Sequence, residues 1–178
     1  MVFIFIACNN GIIHWIYESF CRSVAADILW LSLLIFLKGG SVLVINSIDH
    51  IVLTSQSLDE TIHFYCDILG MTLQRFSPPD GSADRLAVLF GQQKINLHDA
   101  SSPYIPHARC PVAGAVDICF LSDVTVENWC NRFEEFSVSI EDGPIAKTGA
   151  KGPLWSIYVR DPDGNLIEIS NQKIWSIY

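Results

Sequence analysis

Arg160-Asp161-Pro162-Asp163-Gly164-Asn165-Leu166-Ile167-Glu168-Ile169 is the stretch from which the rest of the chain is best read. Asp-Pro-Asp-Gly is turn chemistry: proline presets one backbone angle, and glycine tolerates the left-handed one. The run that follows alternates. Leu166, Glu168 and Ser170 share one face, Ile167 and Ile169 the other, as in a strand with one apolar side. Leu154–Arg160 reads as its hairpin partner. A carboxylate in mid-strand, Glu168, is costly unless it meets water, a partner or an ion.

Working back from this hairpin, Ala115–Ser122 reads as a strand and Val124–Phe136 as a helix, with Trp129, Phe133 and Phe136 at helical spacing as core. Ser137–Glu141 is a short strand, and Asp142-Gly143-Pro144 a turn. Ile145–Pro153 is Gly-rich and Lys-bearing, and Lys147–Pro153 within it reads as a mobile loop over the cup. The first half has the same order. Ile48–Thr54 is a strand. Ser57 with Glu60 forms a capping box that starts a helix ending at Leu69, where Gly70 stops it. Met71–Phe76, Arg85–Phe90 and Gln93–His98 are strands, and Asp99–Gly114 is a long loop with Pro103, Pro106 and Pro111. The order β-α-β-β-β therefore occurs twice, an internal repeat. It predicts an α+β fold of two βαβββ modules, residues 47–100 and 114–171, in a domain spanning 46–173 with a short tail at 174–178.

Strand alternation then picks out four ligand-type side chains. His50 lies on the first strand of one half and His98 on its last; Asp117 and Glu168 hold the matching places in the other. Each alone is most simply a surface or hydrogen-bonded residue. Together, if the halves are related by pseudo-symmetry, they converge on one point. Two imidazoles and two carboxylates suit a divalent ion: Zn, Ni, Mn or Fe. Lys147 and Lys151 are candidates to meet an anionic substrate, and Arg75, Arg85 and Tyr158 to line the same cup. Lys147–Pro153 lacks the spacing and following helix of a phosphate-binding P-loop.

Composition bounds the partners. The 178 residues carry 11 Lys and Arg against 19 Asp and Glu, a net charge of -8, which speaks against nucleic acid. The six cysteines contain no C-x-x-C pair, and we expect reduced thiols in a cytoplasmic protein. Residues 1–45 hold only Glu18, Arg22, Asp27 and Lys38 as charges. They read as a poorly ordered or loosely docked extension. The alternatives are a membrane anchor through residues 28–45, or a segment foreign to the mature protein. The apolar run is short of a full span and is broken by Lys38 and two glycines.

The motif Arg160–Ile169, with Ile48-Asp49-His50-Ile51 near the start, resembles the vicinal oxygen chelate superfamily of glyoxalases, bleomycin-resistance proteins and ring-cleaving dioxygenases. Phe64-Tyr65, Leu69-Gly70-Met71, Phe90–His98 and Thr148–Pro153 resemble one subfamily of it. The resemblance covers about Ser47 to Asn171. It implies a cupped, mostly antiparallel sheet around a metal held by His50, His98, Asp117 and Glu168. Glu168 would also act as general base, and the ion would stabilise an enediolate from a small oxygenated substrate. The implied activity is a metal-dependent lyase or isomerase. Its alternatives are a binding or resistance protein without turnover, and a dioxygenase with altered ligands. A homodimer is implied too, since some members complete their site across the interface. Three departures matter. Asp117 stands where the family usually has His, which argues against ordinary iron-dependent ring cleavage. His98 replaces a common Glu. Ala113-Gly114-Ala115-Val116-Asp117 replaces the Gly-Phe-Gly-His of true glyoxalase I.

Overall fold

The structure, a computed structural model, describes residues 44–172. The expectations for residues 1–43 and 173–178 lie outside them. The compact unit begins at Ser47. No helix among the described residues is long and apolar enough to cross a membrane.

The first half is β1 (His50–Ser55), α1 (Leu58–Ile62), β2 (Thr72–Phe76), β3 (Arg85–Phe90) and β4 (Gln93–Asp99). The second is β5 (Asp117–Leu121), α2 (Val126–Glu135), β6 (Ile140–Gly149), β7 (Gly152–Arg160) and β8 (Leu166–Gln172). Each half makes a four-stranded sheet in the same order, β1-β4-β3-β2 and β5-β8-β7-β6. In each, the first and last strands pair in parallel and the other pairs are antiparallel. The predicted repeat of βαβββ modules is the architecture found.

Both helices start at side-chain caps. The Ser57 hydroxyl accepts from Glu60 N–H, and the Thr125 hydroxyl from Asn128 N–H, each satisfying a donor the helix leaves open. α1 continues as a wider π-type turn over His63–Ile68, with Leu69 N–H donating to Phe64 C=O. Gly70 follows at φ 77°. Phe64, Tyr65 and Ile68 from this segment are buried.

One hydrophobic core joins the halves. Leu53, Ile95 and Leu97 from the first sheet, and Ile157, Ile167 and Ile169 from the second, pack with Phe64 and Phe133 of the helical segments. Removing such a side chain from water is worth about 1.5–3 kcal/mol, which fixes which face of each strand turns inward. The β7–β8 turn locks onto the first half. Tyr65 O–H donates to Asp161 Oδ2 at 3.0 Å, and Gln56 N–H to Asp163 Oδ1 at 2.9 Å. The polar faces of both sheets lie opposite this core.

The segment expected to be a mobile loop, 147–153, is instead strand on both sides of a short turn at 150–151. β6 runs from Ile140 to Gly149 against β7, with irregularities between Ile140 and Asp142 and between Asp142 and Ile145. Asp142-Gly143-Pro144 is a bulge within the strand and not its end. Gly143 sits at φ 100°, and a Cβ there would lie 2.5 Å from Ser156 O and 2.9 Å from Ile157 Cα. Both obstacles are backbone of the paired strand and cannot swing aside. Gly143→Ala is therefore expected to cost about 1–3 kcal/mol, read as a lower urea midpoint. An unchanged midpoint would show that the bulge is not fixed by backbone contact.

Candidate functional site

The polar face of the first sheet floors a cavity of about 530 Å³. His50, Gln74, Arg85, Asn96 and His98 line it from the strands, and Tyr104 from the connecting loop. His98 is 8% exposed, and its Nδ1 is buried with no hydrogen-bond partner. Burial first, then the charges of His107 and Arg85, hold its pKa below the usual histidine value, so the ring is neutral and able to donate a lone pair. It meets Tyr104 edge to face at 5.2 Å. His50 is more open. Asp49 Oδ1 lies 2.6 Å from its Nδ1, an orienting carboxylate that leaves the other ring nitrogen free.

The second sheet carries a different cluster on its polar face. Glu168 Oε1 accepts from Ser170 O–H at 2.9 Å, and Ser170 Oγ lies 2.7 Å from Ser156 Oγ. Burial, then the hydrogen bond to Glu168 and its negative charge, push the Tyr158 hydroxyl up to about 12, so it stays protonated and can donate to the carboxylate. Cys119 neighbours Glu168 in register, with Asp117 two residues earlier on the same face. Burial is the main cause that raises the Cys119 thiol, which leaves it a poor nucleophile. Lys147 Nζ lies 5.1 Å from the Tyr158 ring centre.

The four expected ligands fall into two pairs. His50 and His98 line one cavity; Asp117 and Glu168 share the face of the other sheet. Among the described residues no three His, Cys, Asp or Glu side chains come together as a metal-binding group. The expected convergence of all four within one chain is not found. The physical reason is the shared core: the halves meet through their apolar faces, so the polar faces are not pressed together.

The substrate-binding candidates also separate. Gln74 and Phe76 line the cavity, so β2 turns Arg75 the other way, where it pairs with Asp84 at 3.3 Å. Arg85 does line the cavity. Tyr158 lies opposite Glu168 in register, Lys147 lies over the Tyr158 ring, and Lys151 is exposed at the β6–β7 turn. Sequence reasoning missed Tyr104, which sits in an irregular proline-bearing loop with no periodic signal. It also missed the Ser156–Ser170 pair, which period-two counting on β7 and β8 places on the Glu168 face. A larger cavity, about 810 Å³, lies beside α1 and the Glu141–Arg160 ion pair. It holds neither ligand pair.

Residues 47–169 match the model of the Glyoxalase/Bleomycin resistance protein/Dioxygenase superfamily. Virulence protein STM3117 of Salmonella typhimurium is 41% identical over 128 residues, 72% of this chain and 85% of that protein. Its crystal structure superposes with a TM-score of 0.67 over 74% of this chain and all of that one. Glyoxalase domain-containing protein RDO1 of Mycosarcoma maydis is 41% identical over 129 residues, 72% of this chain and 70% of that protein. A lactoylglutathione lyase structure from Agrobacterium tumefaciens has a TM-score of 0.56 at 28% identity, over 76% of this chain and all of that one. With the repeat, the sheet order and these matches in agreement, the chain belongs to the Glyoxalase/Bleomycin resistance protein/Dioxygenase superfamily.

Proposed function

We propose that this chain is a metal-dependent lyase or isomerase of glyoxalase type, acting on a small oxygenated substrate as a homodimer. In this reading His50 and His98 of one copy join Asp117 and Glu168 of the other around a divalent ion. The observation that carries it is that His98, whose buried Nδ1 has no partner, lines one cavity together with His50. A buried polar atom left unpaired calls for an occupant. The donor set fits Zn, Ni, Mn or Fe, although one chain alone does not assemble it.

When bound, such an ion polarises a substrate carbonyl and offsets negative charge developing on its oxygens. The rest falls to the protein. Asp49 fixes the His50 ring. Ser170 and Tyr158 both donate to Glu168, which holds its carboxylate in place. Glu168 then takes a proton at a carboxylate oxygen from the carbon beside the carbonyl and returns it to the neighbouring carbon. Lys147, next to Tyr158, and Lys151 at the turn are the second sheet's cations for substrate. Arg75, paired with Asp84, is the weakest of the substrate candidates.

Within the superfamily, Phe90–His98 and Thr148–Pro153 favour the subfamily of glyoxalase domain-containing protein 5. We take residues 1–45 as an extension of a domain spanning 46–173. The free thiols Cys66, Cys110, Cys119 and Cys130 favour a reducing cytoplasm.

The test is metal analysis of purified protein after incubation with Ni, Zn, Mn or Fe salts. About one ion per chain is expected, as in a catalytic site that keeps an open position. Protein that takes up none of the four would favour the second reading, a small-molecule binding protein without turnover. That reading draws on the absence of any three-ligand group among the described residues of one chain. The hemithioacetal of methylglyoxal and glutathione tests the activity in its narrowest form.

A further inference from the structure

The first-half cavity is an exception to the charge of the chain. The protein carries a net charge of -8, yet among the described residues no carboxylate lines this cavity. Arg85 and Lys94 both line it. The charge of Lys94 reaches Asp49 and helps hold its carboxyl below the usual value, after the hydrogen bond to His50. Arg85 has no ion pair among the described residues. Asp84, the adjacent acid, pairs with Arg75, and Asp80, which feels the charge of Arg85, accepts from Ser82 N–H at 3.0 Å.

The guanidinium also lies over an aromatic ring. Its central carbon lies 5.2 Å from the centre of the Tyr104 ring. The Tyr104 hydroxyl is itself anchored, donating to Asp84 O at 2.7 Å. A guanidinium over an aromatic face is steadied there by cation–π attraction, and its planar fork of N–H donors matches oxyanions such as a carboxylate. Beside it the cavity offers apolar surface from Phe76, which is 53% exposed, and Val52, which is 44% exposed.

We propose that this cavity takes an organic anion, its oxyanion on Arg85 and its apolar body against Phe76 and Val52. This deepens the proposed function by naming the substrate class, and it rests on the cavity being that site. It does not require the metal. The Arg85 end supplies binding and orientation, while the imidazoles remain free for an ion.

The experiment is calorimetric titration of the full chain with benzoate, phenylphosphonate and the neutral benzyl alcohol, in chelator-treated and zinc-loaded protein. At least one of the two anions is expected to bind the chelated protein about tenfold or more tightly than benzyl alcohol. Arg85→Gln should remove that preference, and Arg85→Lys should restore part of it, keeping the charge but losing the fork. Arg109→Gln, in the connecting loop, controls for net charge and should leave it intact. Equal binding of anions and alcohol, no binding of either anion, or a preference indifferent to Arg85→Gln would overturn the proposal. Anion binding that needs zinc and ignores Arg85 would also overturn it, while leaving the metal reading standing. Arg85-dependent binding in protein that never takes up metal would do the reverse.

Discussion

Asp161→Ala is expected to destabilise the domain by about 3–5 kcal/mol, a large part of the about 5–15 kcal/mol that holds a domain together. Asp161 is 4% exposed. Its carboxylate accepts four hydrogen bonds: from Tyr65 O–H at 3.0 Å, Asn165 N–H at 2.9 Å, Asn165 Nδ2 at 2.8 Å and Asp163 N–H at 3.0 Å. No cation pairs with it among the described residues, so these donors alone replace its water. Alanine would remove the acceptor and leave the donors behind, including a tyrosine hydroxyl on a residue with no exposed surface. An orphaned buried donor costs more than a hydrogen bond gains. The damage should spread, because Asn165 Oδ1 also accepts from Val116 N–H at 2.9 Å and so sets the start of β5. Tyr65→Phe removes one bond only and should cost about 1 kcal/mol. Urea unfolding of the two variants checks the order. A Tyr65→Phe loss equal to or above that of Asp161→Ala would show that the turn is not held by its carboxylate.

Such residues show what a sequence can disclose. β3 begins at Arg85 and ends at Phe90 as expected, because its apolar run is closed by a glycine turn at Gly91. The faces of β1, β4, β5 and β8 were legible because alternation of period two is a property of each strand alone. β6 was not. Local chemistry at Asp142-Gly143-Pro144 says turn, but pairing with β7 on both sides absorbs those residues as a bulge. The face that β2 turns to the cavity was also hidden, because it depends on register with β3: Gln74 and Phe76 line the cavity, while Arg75 lies opposite Leu86. The ligand pairs mark the deeper limit. Alternation identifies the face that carries His98 or Glu168, but not which faces meet. That depends on how the halves dock, and here they dock through their cores.

Mixing a His98→Ala chain with a Glu168→Gln chain is expected to regenerate metal sites that neither variant has alone. Each variant by itself spoils every site of its dimer. A lost ligand should weaken the ion by more than the about 10–100-fold that loss of an outer supporting group costs. In a two-fold dimer whose sites draw imidazoles from one copy and carboxylates from the other, a hybrid has one site damaged twice and one wholly native. Equal mixing with free exchange makes about half the dimers hybrid, so roughly a quarter of all sites should again hold an ion tightly. If all four ligands came from one chain, every chain in the mixture would carry a lesion and nothing would be regained. Metal content of the dimer fraction after subunit exchange reads the outcome, with tags of two sizes to verify that hybrids form. Verified hybrids with no recovered sites, or a wild-type chain that runs as a monomer, would refute a site shared between copies. Recovery near a quarter would tie the unpartnered imidazole of His98 on one sheet to the carboxylate that Ser170 and Tyr158 hold on the other.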